Sequence, residues 1–148
     1  MKLARLEDLA DIGGVLCHGV FDFLHVGHKR YFERAVAHGP LTVTVTCDEF
    51  VNKGPRRPYF NHHLRCEMIA SIECVSHVAI SFYPLATMAI GIVKPKLYCK
   101  GREYDHKDDQ ALALEIAEAR RWGGDILFID DDGKEFSSTA ILKAWDGR

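Results

Sequence analysis

Short apolar runs alternate along this chain with longer stretches in which apolar residues recur at helical spacing. The runs predict strands near residues 15–18, 41–47, 77–81, 96–100 and 125–129. Helices are predicted between them, near 27–38, 61–72, 86–93, 108–122 and 138–144, and Gly, Pro or polar residues mark each change of pattern. Strands separated by helices of this length predict an α/β domain: a doubly wound five-stranded parallel sheet, covered on both faces, with ligands bound beyond the carboxyl ends of its strands. Residues 41–46 alternate Leu, Val and Val with Thr, which alone reads as a half-exposed strand. Their place between two helical segments favours burial on both faces instead. The pattern gives a single domain over 15–148, with residues 1–14 as an N-terminal extension or linker.

Composition narrows the class. A hydrophobic content of 47% over 148 residues is enough for one globular core without covalent staples. Lysine and arginine total 19 against 21 acidic residues, so neither a nucleic-acid partner nor a polybasic membrane anchor is expected. The five cysteines show no CxxC spacing and fall in or beside predicted elements, which reads as free thiols in a reducing compartment. Residues 2–12 mix charges with leucines and lack the apolar core of a signal peptide. No run approaches the roughly 18 apolar residues needed to cross a bilayer. The expectation is a cytoplasmic protein, with no membrane partner.

In a doubly wound sheet the stretches following the strands converge, and here those stretches are 18–28, 48–58, 100–104 and 130–139. The first ends in His25-Val26-Gly27-His28 at the mouth of a strand-turn-helix unit. Gly27 leaves the backbone approachable, and a helix N-terminus attracts anions, so a phosphate is the expected guest. One such histidine would cap or pack; two separated by Val-Gly at this turn point to chemistry. Zinc is the rival guest, since His-x-x-His is a known ligand spacing, although no further Cys or His pair accompanies it. The second stretch carries Lys53, Arg56 and Arg57 among Gly54, Pro55 and Pro58, with Lys53 the best placed to neutralise a phosphate. In the third, Lys100 ends a strand and Gly101 permits a tight turn. In the fourth, Ser137-Ser138-Thr139 supplies more hydroxyls at a helix start than a cap requires.

Gly19-Val20-Phe21-Asp22 followed by His25-Val26-Gly27-His28 resembles the Gly-x-Phe-Asp-x-x-His-x-Gly-His signature of the HxGH nucleotidylyltransferases, the cytidylyltransferase-like group. Ser137-Ser138-Thr139 with Ile141 resembles that group's Ser-Thr-Thr-x-Ile helix start. Lys100-Gly101-Arg102-Glu103-Tyr104 is similar to the Lys-Gly-x-Asp-Tyr segment of the branch that activates heptose phosphate. Residues 61–75, with Arg65, Glu67-Met68-Ile69-Ala70 and Glu73-Cys74-Val75, resemble that branch as well. Val20 stands where the family more often has Thr or Cys, His18 where it has Asn or Tyr, and Glu103 where it has Asp. The tail motif of the glycerol-phosphate cytidylyltransferases is not reproduced before Ser137, where Asp132-Gly133-Lys134-Glu135-Phe136 appears.

The resemblance implies a Rossmann-like, doubly wound five-stranded parallel sheet and nucleotidyl transfer: a substrate phosphate attacks the α-phosphorus of CTP or ATP and pyrophosphate leaves. It implies that His25, His28 and Lys53 are catalytic. Gly19, Val20, Phe21, Gly27, Arg65, Lys100, Ser137, Ser138 and Thr139 would bind the nucleotide, and His18, Asp22 and Arg57 the acceptor. Magnesium would accompany the triphosphate, with no protein metal ligands. The acceptor would be a sugar phosphate or similar small phosphate ester, an alditol phosphate or phosphonate being the alternative. A homodimer is expected, as is pairing with a sugar kinase. A domain that senses nucleotide without turnover is the reading from another class; binding alone would not require all of His25, His28 and Lys53.

Overall fold

The strands end where a Gly or a polar residue interrupts the apolar run, and three of the four main helices begin at a residue whose side chain accepts a free amide. The computed structural model describes residues 2–102, 109–130 and 143–145. In chain order they form β1 (Val15–Gly19), α1 (Val26–Val36), β2 (Leu41–Thr46), α2 (His62–Ala70), β3 (Val75–Ser81), α3 (Ala86–Val93), β4 (Leu97–Gly101), α4 (Gln110–Arg121) and β5 (Asp125–Ile129), with one-turn 3-10 helices at Leu6–Leu9 and Asp48–Phe50. His25, Asn61 and Asp109 cap α1, α2 and α4 through their side chains. The helix predicted over 138–144 falls largely outside the described residues; only 143–145 are seen, and they are helical.

The five strands are all parallel and lie in the order β3-β2-β1-β4-β5. Connections run outward from β1 through β2 to β3, then cross back to β4 on the other side of β1, so the order reverses between β1 and β4. That reversal is where a doubly wound sheet opens a crevice. On one face Phe32 and Ala35 of α1 and Cys66 and Ile69 of α2 pack on Val15, Cys17, Val43, Val45 and Val78. On the other, Ala86, Ala89, Ile90 and Val93 of α3, Ala119 of α4, and Leu6 and Leu9 pack on Leu16, Ala79 and Tyr98. Every residue of β2 is buried, its threonines included, because helices cover both faces of this strand. Gly124 admits no side chain: a Cβ there would stand 2.2 Å from the Pro95 carbonyl oxygen.

Residues 2–14 lie against this unit. The amide of Ala4 donates to the Val78 carbonyl and the amide of Val78 to the Lys2 carbonyl, each at 2.9 Å, so the segment adds a short parallel bridge outside β3. Leu6 and Leu9 are then buried against α3. All five cysteines are free thiols, as the sequence predicts; four are buried and Cys74 is half-buried. Among the described residues no helix is long and apolar enough to cross a membrane.

Candidate active site

The turn after β1 is built around packing that only glycine permits. Phe21 takes a left-handed backbone, φ 51°, and its ring folds back over the strand end. A Cβ on Gly19 would stand 2.9 Å from Cζ of that ring. Phe21 meets Phe32 of the core edge-on at 5.2 Å and supports the His28 ring edge-on at 5.5 Å. The motif's aromatic residue thus braces the second histidine from beneath.

His25 and His28 form a reciprocal cap. Nδ1 of His25 accepts the Gly27 amide at 3.1 Å, and Nδ1 of His28 accepts the His25 amide at 3.3 Å. The rings stack with centroids 3.9 Å apart. An Nδ1 that accepts an amide N–H carries no proton, so the neutral rings are protonated on Nε2. Burial, the neighbouring His25 and the Lys53 ammonium push the His28 pKa down to about 3, so His28 is neutral at physiological pH. The Lys53 charge is therefore felt at His28 although Lys53 itself is exposed.

His18, at the end of β1, bonds Thr44 Oγ1 at 2.8 Å and Thr46 Oγ1 at 3.3 Å, and burial followed by the Lys100 charge pushes it down to about 4. Lys100, near the end of β4, pairs with Glu115 of α4 at 3.5 Å. Burial raises the Glu115 pKa and Lys100 opposes the shift. His18 and Lys100 thus occupy the two strands that flank the reversal of strand order. Arg102 pairs with Asp130 at 2.5 Å, joining the exits of β4 and β5.

Asp22, Arg57 and Arg65, which the sequence resemblance assigns to ligand, all have protein partners in this structure. The Asp22 side chain is fully buried and accepts Arg57 Nε at 2.8 Å, the Tyr59 amide at 2.7 Å and the Phe60 amide at 2.9 Å. Arg57, 8% exposed, is turned to that carboxylate. Arg65 is buried, with Nε on the Phe60 carbonyl, NH1 on the carbonyls of Val20 and Thr46, and NH2 on Asp48 Oδ1 at 2.6 Å. Four of the five N–H groups of this guanidinium are thus committed to protein acceptors, three carbonyls and the partly exposed Asp48 carboxylate. Ser137, Ser138 and Thr139 lie outside the described residues, as do Glu103 and Tyr104.

Pattern reading did not find the partners of these side chains. Thr44 and Thr46 gave a trace, the Thr alternation in β2; Glu115 gave none, because it meets Lys100 only through the packing of α4 on β4. Among the described residues no three His, Cys, Asp or Glu side chains are grouped to hold a metal ion.

A family model described as cytidylyltransferase-like matches residues 16–144, a span that holds the signature turn, all five strands and the crevice between β1 and β4. The chain belongs to the cytidylyltransferase-like family. Among its relatives in this family, the D-beta-D-heptose 1-phosphate adenylyltransferase of Bordetella bronchiseptica is 36% identical over 132 residues, which is 86% of this chain and 78% of that protein. A bifunctional protein HldE of Methylobacillus flagellatus is 32% identical over 146 residues, 95% of this chain. The chain spans 29% of that longer relative's length, and 25% of the Aliarcobacter butzleri bifunctional protein HldE. A lipopolysaccharide core biosynthesis protein from Thermoplasma volcanium superposes with TM-score 0.67 and 26% identity, over 80% of this chain and 97% of that one. Pantoate-beta-alanine ligase from Francisella tularensis, at TM-score 0.58 and 13% identity, shares the fold. The sequence expectation of a Rossmann-like parallel sheet in this family therefore holds.

Proposed function

We propose that this member of the family is a nucleotidyltransferase that passes an adenylyl group from ATP to the phosphate of a sugar phosphate and releases pyrophosphate. A phosphate oxygen of the acceptor forms the new bond to the α-phosphorus. The bond from that phosphorus to the β-bridging oxygen breaks, and pyrophosphate leaves with its electron pair. The nucleophile is already an anion, so catalysis reduces to positioning and to neutralising charge on the phosphoryl oxygens.

The observation that carries the reading is the pair of stacked imidazoles whose Nδ1 atoms are both used on the α1 backbone, which leaves Nε2–H as the donor each can offer an oxyanion. In this reading His25 and His28 donate to the transferring phosphoryl group, and Lys53 bridges it to the acceptor phosphate. Gly19, Val20, Phe21 and Gly27 form the wall along the nucleotide, Lys100 reaches its base or ribose, and Ser137, Ser138 and Thr139 take the outgoing phosphates. His18 faces the acceptor side of the crevice. The names of the relatives favour ATP as donor over CTP and a heptose 1-phosphate as acceptor over an alditol phosphate or phosphonate.

Magnesium belongs to the same proposal. Asp22 already accepts three hydrogen bonds from the protein, and the ion is proposed to travel with the triphosphate and its own waters. A cytoplasmic location, a homodimer and pairing with a sugar kinase complete the reading, and the much longer relatives named bifunctional support a second, paired domain.

The test is pyrophosphate release from purified protein with magnesium, crossing ATP, CTP, GTP and UTP with heptose, hexose, alditol and phosphonate acceptors. Release confined to ATP with a sugar 1-phosphate supports the reading. Release with CTP and an alditol phosphate replaces the substrates and keeps the reaction. Tight nucleotide binding with no release in any pair overturns it in favour of a sensing domain.

A further inference from the structure

The loop that carries Lys53 leaves the sheet at Asp48 and returns at Phe60, and both of its ends are tied to the turn that follows β1. One tie is Asp22, which sits in that turn and accepts the returning limb through the side chain of Arg57 and the amides of Tyr59 and Phe60. The other is Arg65, on α2, whose guanidinium joins the Val20 carbonyl in the turn, the Thr46 carbonyl at the end of β2, Asp48 where the loop departs and the Phe60 carbonyl where it returns. Three residues thus register three chain segments, using two ion pairs whose Arg57, Asp22 and Arg65 side chains are 8%, 0% and 0% exposed.

We infer that Asp22, Arg57 and Arg65 form a clasp that sets where Lys53 stands relative to the His25–His28 pair, and that they act as positioning residues and not as ligand contacts. Their chemistry argues for this. A carboxylate that already accepts three hydrogen bonds repels a phosphate, and releasing Arg57 to meet one strands that carboxylate in the interior. Arg65 would have to abandon buried carbonyls to reach the crevice. Lys53 gains from such a clasp, because the reach of an exposed ammonium on a four-carbon stem is centred on where its backbone is held. The exposed, proline-rich loop tip between the two ties leaves the placement of Lys53 to the fixed ends.

The inference rests on the functional reading above only for its kinetic half. The loop offers trypsin sites after Lys53 and Arg56, while the Arg57–Pro58 bond is resistant, so the native-state cleavage rate at Lys53 is expected to report how often the loop opens. Asp22→Asn and Arg57→Gln are expected to raise that cleavage rate by about tenfold or more under conditions where both remain folded by circular dichroism. They are expected to lower kcat by about tenfold to a hundredfold while KM for nucleotide and acceptor moves little, the signature of a misplaced group. The double variant is expected to be no worse than the worse single one, and Arg57→Lys to recover part of both effects. If Asp22→Asn does not fold, the Arg57→Gln and Arg57→Lys pair carries the comparison. Unchanged cleavage in Arg57→Gln, with a large rise in acceptor KM and kcat retained, overturns the clasp and makes Arg57 a ligand contact. A wild-type protein that releases no pyrophosphate overturns the functional reading alone, because the cleavage comparison still decides the clasp.

Discussion

His25 and His28 hold one another through the backbone: Nδ1 of His28 accepts the amide of His25, and the two rings stack at 3.9 Å. In the proposed reaction, capping α1 and meeting the phosphoryl group therefore fall to the same two side chains, one ring nitrogen for each task. A substitution at either position changes both.

His28→Ala is expected to lower kcat by about a hundredfold to a thousandfold, the range for removing one preorganised donor to a developing oxyanion. The lost cap is expected to reduce stability by only about 1 kcal/mol. Steady-state pyrophosphate release and a urea titration on the same preparation separate the two losses.

The protein is expected to weaken on mild acidification. His18 and His28 are pushed from an ordinary 6.5 to about 4 and about 3. Between pH 6.5 and those values the unfolded chain binds protons that the folded chain refuses, so stability rises with pH across this window and is lost as pH falls through it. Each histidine contributes a slope approaching about 1.4 kcal/mol per pH unit, and neither contributes above the window. Urea midpoints between pH 7 and pH 5 check the sign, and His18→Gln with His28→Gln is expected to flatten the dependence. The same shift means that His28 adds no inflection near pH 6.5 to the kcat profile.

The fold was legible in the sequence because it is written in local pattern. The five strands are found within two residues of where the apolar runs predict them, and the glycine-marked turn after Val15–Gly19 places the histidine pair correctly. The site was legible only where the signal is contiguous. His25, His28 and Phe21 fall within one turn, whereas the charge balance of Asp22 depends on residues that lie 35 to 38 positions away. A list of cations near a predicted crevice cannot distinguish an arginine that meets a phosphate from one already committed to a buried carboxylate. Arg57 and Arg65 read like Lys53 in the sequence, and only their three-dimensional partners set them apart.

Gly19→Ala is expected to impair activity with limited loss of fold. The new methyl would press on the Phe21 ring at 2.9 Å, and that ring supports His28. Phe21→Leu in the same background removes the clashing ring edge and is expected to recover stability without recovering kcat. Paired thermal melts and turnover measurements check both.

Arg65→Met is expected to cost about 2–4 kcal/mol, chiefly because it leaves buried carbonyls without a donor, and to lower Tm by several degrees. The Asp48 carboxylate adds little to the loss, because it is 35% exposed and keeps His62 at 3.4 Å; the three carbonyls left without their donor carry it. Calorimetry checks the magnitude, and Arg65→Lys, which keeps the charge but not the forked geometry, is expected to recover less than half.

The bridge between Lys2–Ala4 and Val78 has a consequence for how this molecule behaves among its own kind. In a parallel sheet the outermost strand offers a row of unmet amides and carbonyls, a template on which another unfolded or partly folded chain can add itself. Here the first few residues occupy that row at its middle, and the Lys2 ammonium, bonded to the Ile72 carbonyl, places a charge beside it. The segment thus covers the middle of that edge with backbone partners of its own, which leaves less of it for a second chain to pair with.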